Sequence, residues 1–279
     1  MSNVVSLALP REPARLEQEL HAWFEKRPSA LVALSGGVDS SVVAAMAARA
    51  LGPRALAVTG VSPSLATHEL AEIRAFAAAR DLRHLTVDTH EHERTDYARN
   101  TPDRCYFCKS ELFDTLGRVA KAEGVECIVD GTNADDLGAH RPGKRAGDER
   151  SVQSPLVELG FTKDEVRRLA GHLGLANADR PSAPCLASRI AYGVPVTPER
   201  LRRVGAAEAA LRAHGFRELR VRLHGPIARI EVPKNELARA VELAAAIHED
   251  LRQLGFAHVT LDLAGLRSGS LLESAGPLP

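Results

Sequence analysis

The chain has 279 residues, enough for one large core or for a core with a smaller companion domain. Its 36 basic residues balance 36 acidic ones at a sequence pI near 7.2, so no long-range field draws in a polyanion, and neither nucleic acid nor a membrane is expected as a partner. Four cysteines are too few for a disulfide scaffold, which leaves reduced thiols for metal or catalysis.

The first residues, MSNVVSLALPREPARLEQEL, lack a basic stretch followed by a sustained apolar run, and no later segment approaches about 18 uninterrupted apolar residues. A soluble, cytoplasmic protein is the expectation. Residues 13 to 26 have the spacing of an amphipathic helix, and Trp23, the only tryptophan, should pack it against a sheet. ALVALSGGVDSSVVAAMAARAL then gives a strand, a glycine turn and a helix with Met46 on its inner face. The pattern repeats in RALAVTG and HELAEIRAFAAARDL, in LRHLTVD and YFCKSELFDTLGRVAKAEG, and ends on the strand VECIVDG, where Cys127 reads as a small core hydrophobe. Strands alternating with helices predict an α/β fold, a parallel sheet with helices on both faces.

GTNADDLGAHRPGKRAGDER, residues 131 to 150, reads as a polar loop too long for mere connection, so function is expected there. SPLVELGFTKDEVRRLAGHLGL predicts a short strand and then a helix opened by a capping box of Thr162 and Glu165. After the proline-rich ADRPSAPCLASRIAYGVPVTPER, a helix over 198–214, strands in FRELRVRLH and IARIEVP, a helix over 234–254 and a strand in FAHVTLDL predict a small α+β domain. The expected domains are 1–192 and 193–279, with SAGPLP as a frayed tail.

SGGVDSS, residues 35 to 41, lies where a strand turns into a helix, so backbone N–H groups and a helix N-terminus converge on a spot suited to phosphate. Gly36 and Gly37 permit close backbone approach around Val38. Ser35, Ser40 and Ser41 offer hydroxyls, and Asp39 suits a magnesium ion or the leaving group. The Walker pattern GxxxxGK[ST] is absent, and an ordinary glycine turn with a serine cap is the plain alternative. The heptapeptide resembles the PP-loop of the ATP pyrophosphatases, which implies cleavage of ATP between its α and β phosphates and adenylation of an acceptor. Gly131 falls just past VECIVD, at the carboxyl edge where open parallel sheets bind ligands. Asn133, Asp135 and Asp136 follow, as magnesium or acceptor ligands or as a solvated acidic loop.

Four further stretches, NTPDRCYFCKSELF, DGTNADDLGAHRPG, PCLASRIAYG and RVRLHGPIARIEVP, together resemble the ATP-dependent sulfur transferases of nickel-pincer cofactor synthesis, over about residues 13 to 272. That resemblance implies ATP and magnesium as cofactors, and a pyridinium-3,5-biscarboxylic acid mononucleotide whose carboxylates become thiocarboxylates. It also implies a sulfide source as a partner and a homo-oligomer, since relatives form hexamers. Arg220 and Arg222 are two apart on one strand and so share a face. The resemblance makes them, with Arg267, a clamp for the mononucleotide phosphate. It places Ser188 and Arg189 beside the activated carboxylate, and matches Glu208 to an acidic substrate-binding position.

CYFC has no second CxxC or HxxxH to complete a structural zinc site and stands in an ATP-binding fold, so a zinc site and a thioredoxin-like redox pair stay open as the lesser readings. With Cys185, Cys105 and Cys108 make three thiols, and three thiolates leave one iron of a 4Fe-4S cluster without a protein ligand. The resemblance points the same way: some relatives sacrifice a single cysteine in the PCLASR-like loop, whereas others carry this three-cysteine set. The expectation is a cluster on Cys105, Cys108 and Cys185. Two alternatives remain: a PP-loop thiolation enzyme with another acceptor such as tRNA, which predicts a basic groove, and a non-catalytic iron-sulfur protein, against which SGGVDSS counts.

Overall fold

A computed structural model describes residues 11–138, 142–181 and 184–267. The tail SAGPLP, and residues 139–141 of the expected long loop, lie outside them. In chain order the elements are α1 (Pro13–Glu25), β1 (Ala30–Ala33), α2 (Val38–Leu51), β2 (Ala55–Val61), α3 (Thr67–Ala79), β3 (His84–Asp88), α4 (Thr95–Ala98) and α5 (Arg104–Glu123). They continue with β4 (Ile128–Val129), α6 (Pro142–Asp148), α7 (Pro155–Glu158), α8 (Lys163–His172), α9 (Pro198–Ala213), β5 (Arg220–His224), β6 (Ile227–Glu231), α10 (Leu237–Glu242), α11 (Ala244–Gln253) and β7 (His258–Leu261).

The chain divides into two compact units. The first comprises 1–61, 69–89 and 109–183, and the second 62–68, 90–108 and 184–279. The boundary expected near residue 193 lies inside the second unit, which also takes two earlier segments. A reading along the chain divides it once, whereas contacts divide it wherever a segment packs.

The first unit holds a parallel four-stranded sheet in the order β3-β2-β1-β4, flanked by helices. β1 is buried at all four positions, as a central parallel strand must be. α2 packs on α1 and α8, and its Val42, Val43, Met46 and Ala47 are buried with Trp23 and Phe24 in one core. Cys127 joins that core at 6% exposure, and burial pushes its thiol pKa up. The capping box at α8 is present: Thr162 Oγ1 accepts from Glu165 N, and Glu165 accepts from Thr162 N.

Three local expectations need correction. Residues 131–150 are not all loop, because Ala134–Gly138 form a 3-10 turn and α6 follows. α6 starts on a proline, whose fixed φ suits a first helical position, and carries a Lys144–Asp148 pair one turn apart. The strand expected in SPLVEL is the single helical turn α7, also opened by a proline. The helix expected over 234–254 is broken at Leu243, where no glycine or proline marks the break.

The second unit carries a three-stranded sheet, β5-β6-β7, antiparallel between β5 and β6 and parallel between β6 and β7. The parallel pair is joined through α10 and α11, since a parallel connection needs a crossover. Its core gathers Leu201, Val204, Leu211, Phe216, Val221 and Phe256.

Candidate active site

In the first unit, β1 runs into a turn that ends on α2. Gly36 has φ +77°, a left-handed conformation that favours glycine, and a Cβ there would meet Ile73 Cγ1 at 2.6 Å. Gly37 is the N-cap of α2 and offers no side chain, so the first N–H groups of the helix are left for an anion. The three serines differ in what they do. Ser40 is buried and shapes the loop: its Oγ donates to Gly37 O at 3.0 Å, accepts from Ser35 N at 3.2 Å and lies 3.1 Å from Ser35 Oγ. Ser41 is fully buried and accepts from Asn177 Nδ2 at 2.9 Å, while Ser35 is exposed. Val38 is core. Gly131 has a steric cause, because a Cβ there would lie 2.6 Å from Ser40 N and 2.8 Å from Ser40 Cα. The loop after β4 therefore presses directly on the first turn of α2.

Asp39 is ion-paired with Lys163, the first residue of α8, and Asn133 Nδ2 lies 3.5 Å from its other oxygen. Asp135 accepts from Lys163 N at 2.8 Å and Asp136 from Asn133 N at 3.2 Å, so the acidic loop is folded onto itself and onto α8. Sequence reading missed Lys163 and Asn177. Asn177 donates to Gly36 O at 3.1 Å as well as to Ser41 and so pins both ends of the turn, yet nothing in LANAD signals it.

In the second unit, Cys105 and Cys108 stand on the first two turns of α5, and Cys185 caps a 3-10 turn, Leu186–Arg189. Cys105 and Cys185 are exposed, and Cys108 is half-buried. What brings these segments together is buried and polar. Asn100, at φ +55°, donates from Nδ2 to the carbonyls of Ala191 at 2.8 Å and Val194 at 2.9 Å. Arg104, 4% exposed, donates from Nη1 to Asn100 Oδ1 at 2.5 Å and to Ala187 O at 2.9 Å. Burial works against the Arg104 charge, but the fields of Cys185, Cys105, Tyr97 and Tyr192 together outweigh it and its pKa is raised. Neither residue was singled out from RNTPDRC, although both adjoin the cysteine motif.

The turn carrying Cys185 is fixed by two buried ion pairs. Arg189 Nε donates to Glu208 Oε1 at 2.7 Å, while its Nη1 reaches Pro184 O at 2.5 Å and Ser188 Oγ at 2.9 Å. Arg222 Nε donates to Glu231 Oε1 at 3.0 Å and its Nη1 to Ser188 O at 2.7 Å. Glu208, Arg222 and Glu231 are at most 3% exposed, so Glu208 and Arg222 brace the turn. Arg220 is different. It donates to Arg267 O at 2.9 Å, and burial, then Arg222 and Arg189, lower its pKa, leaving a cation in a field that favours an added anion. Arg267 itself is exposed.

Among the described residues, the one group of three or more metal-type ligand atoms within 4.8 Å of one another is His90, His92 and Glu93. Neither the acidic residues near Asp39 nor the three cysteines are gathered that closely. No helix of the described residues is long and apolar enough to cross a membrane.

The asparagine synthase family model matches residues 16–175. An uncharacterised protein of Synechocystis is 44% identical over 256 residues, covering 91% of this chain and 96% of the relative. The pyridinium-3,5-bisthiocarboxylic acid mononucleotide synthase of Lactiplantibacillus plantarum is 36% identical over 245 residues, 87% of this chain and 88% of the relative. A tRNA-specific 2-thiouridylase of Sphingopyxis alaskensis is 30% identical over 220 residues, 64% of this chain and 56% of the relative.

Proposed function

Because this chain belongs to the asparagine synthase family of PP-loop proteins and is an ATP-dependent sulfur transferase, we propose that its acceptor is pyridinium-3,5-biscarboxylic acid mononucleotide, which it converts to the thiocarboxylate form for nickel-pincer cofactor synthesis. The observation that carries this reading is the 36% identity to the mononucleotide synthase over nearly the whole of both chains, second unit included. An acceptor of the tRNA type rests on partial coverage alone.

A carboxylate is a poor electrophile. Its oxygen attacks the α phosphorus of ATP, pyrophosphate leaves, and the resulting acyl-adenylate carries AMP as a leaving group. Sulfur then bonds to the acyl carbon and the bond to AMP breaks. The N–H groups at the start of α2 hold phosphate oxygens, and Asp39 orients magnesium. Were Asp39 to hold magnesium, Lys163, now its ion-pair partner, would be available to the phosphates. Arg220 takes the mononucleotide phosphate, with the exposed Arg267 beside it, while Arg222 stays in its buried pair with Glu231.

The three thiols suit an iron-sulfur cluster. A single tetrahedral ion with metal–sulfur bonds of about 2.3 Å would draw three sulfurs within roughly 4 Å, closer than Cys105, Cys108 and Cys185 lie. Separate irons of one cluster accept wider spacing, and the buried Arg104 charge offsets thiolate ligands. A 4Fe-4S cluster held by three thiolates supplies an iron with room for an added sulfide.

The test is acceptor-dependent nucleotide turnover. AMP and pyrophosphate should appear only with the biscarboxylic mononucleotide, and Asp39→Ala should slow this by at least about 10²-fold. Production of ADP, or undiminished turnover in Asp39→Ala, would refute the reading.

A further inference from the structure

We propose that Tyr97 is a positioning residue for the three-cysteine centre, its hydroxyl donating a hydrogen bond to a sulfur of the bound cluster; the inference rests on the cluster reading above and extends it. Tyr97 lies on α4, is 1% exposed, and belongs to the same buried cluster as Leu186 and Ala187, with Cys108 packed against it. Its hydroxyl is buried and has no hydrogen-bond partner among the described residues. Buried hydroxyls are nearly always satisfied, so an orphan beside a reactive centre implies a partner that arrives with the ligand.

The surroundings select that partner. A phenol carries its proton at neutral pH and can donate it, and the charges of Cys185 and Cys108 act on Tyr97. Arg104, also within its field, offers no acceptor. Glu91 is 2% exposed, and its Oε1 is occupied by the hydroxyls of Ser62 at 2.5 Å and Ser64 at 2.9 Å. Its Oε2 is buried and unpartnered, so a water bridging Glu91 to the phenol is the competing account. The Ser64 carbonyl accepts from Leu186 N at 3.0 Å, which ties this polar group to the turn carrying Cys185.

Hydrogen bonds to cluster sulfurs and local net charge set cluster potentials. A donor to sulfur stabilises the reduced, more negative state, and a nearby carboxylate destabilises it. The experiment is a dye-mediated redox titration of anaerobically reconstituted full-length protein, with iron content measured alongside. Tyr97→Phe should keep the fold and the iron but move the midpoint potential negative, and Glu91→Gln should move it positive. Where a variant loads incompletely, the shift is read on the loaded fraction. A loaded Tyr97→Phe protein with an unshifted potential would show that the phenol serves a water at Glu91, overturning the inference alone. Wild-type protein that binds no iron would overturn the cluster reading and the inference with it.

Discussion

The nucleotide loop and the cysteine turn are built by opposite means. The loop in the first unit is one contiguous heptapeptide held by backbone geometry: a left-handed Gly36, an uncapped Gly37 and a Gly131 that must lack a side chain. The cysteine turn in the second unit draws on segments around residues 97–108, 184–194 and 208–231, joined by buried arginines and carboxylates. A backbone-built site can be read from a motif, whereas a site assembled through buried charges can be read only once the charges are paired in space.

This difference is most exposed at Arg222. Arg222→Ala leaves the buried Glu231 to its second cation, Arg229, and breaking such a pair costs up to about 3–5 kcal/mol. Urea unfolding should show that loss, and the double change Arg222→Met with Glu231→Leu should recover most of it. A cost below about 1 kcal/mol for Arg222→Ala would deny the turn its buried brace.

Acid should find the first unit's weak point instead. The Arg11 guanidinium hydrogen-bonds Glu165 and lowers its pKa to about 2, against the burial that would raise it. A carboxylate with a depressed folded pKa contributes stability in full above its ordinary value near 4.5, and that contribution fades as pH falls from there toward 2. The amount at stake is on the order of 3 kcal/mol. Glu165→Gln should flatten the pH dependence of unfolding across that window, and an unchanged slope would reject the pairing as its cause.

Arg220 separates binding from bracing. Arg220→Ala should weaken the mononucleotide by about 1.5–3 kcal/mol and leave ATP affinity and the unfolding midpoint nearly unchanged. Equal losses for both ligands, measured by calorimetry, would return Arg220 to the structural role that Arg222 has.

These contrasts explain what could be read in advance. The alternating strands and helices, SGGVDSS and the Thr162 capping box all rest on local periodicity or turn chemistry, and each appears where its residues stand. Lys163 and Asn177 were invisible because their meaning lies in partners far along the chain, Asp39 and the pair Gly36 and Ser41. Arg222 looked like a surface arginine available to a phosphate because the pairing of β5 with β6 that buries it against Glu231 has no signature in RVRLH alone. The break at Leu243 carries no strong local signal, whereas Pro142 and the Lys144–Asp148 spacing do mark α6 but stand inside a glycine-rich polar stretch that reads as loop.

The most direct test of a nucleotide loop and a three-thiol centre with separable duties is to measure AMP formation and thiocarboxylate formation side by side in Cys105→Ala, Cys108→Ala and Cys185→Ala proteins, prepared anaerobically. The account predicts that each variant loses iron and sulfur transfer while acceptor-dependent AMP formation persists. Sulfur transfer retained in Cys105→Ala and Cys108→Ala, with wild-type Cys185 converted to dehydroalanine after turnover, would contradict it and identify Cys185 as a sacrificed sulfur donor.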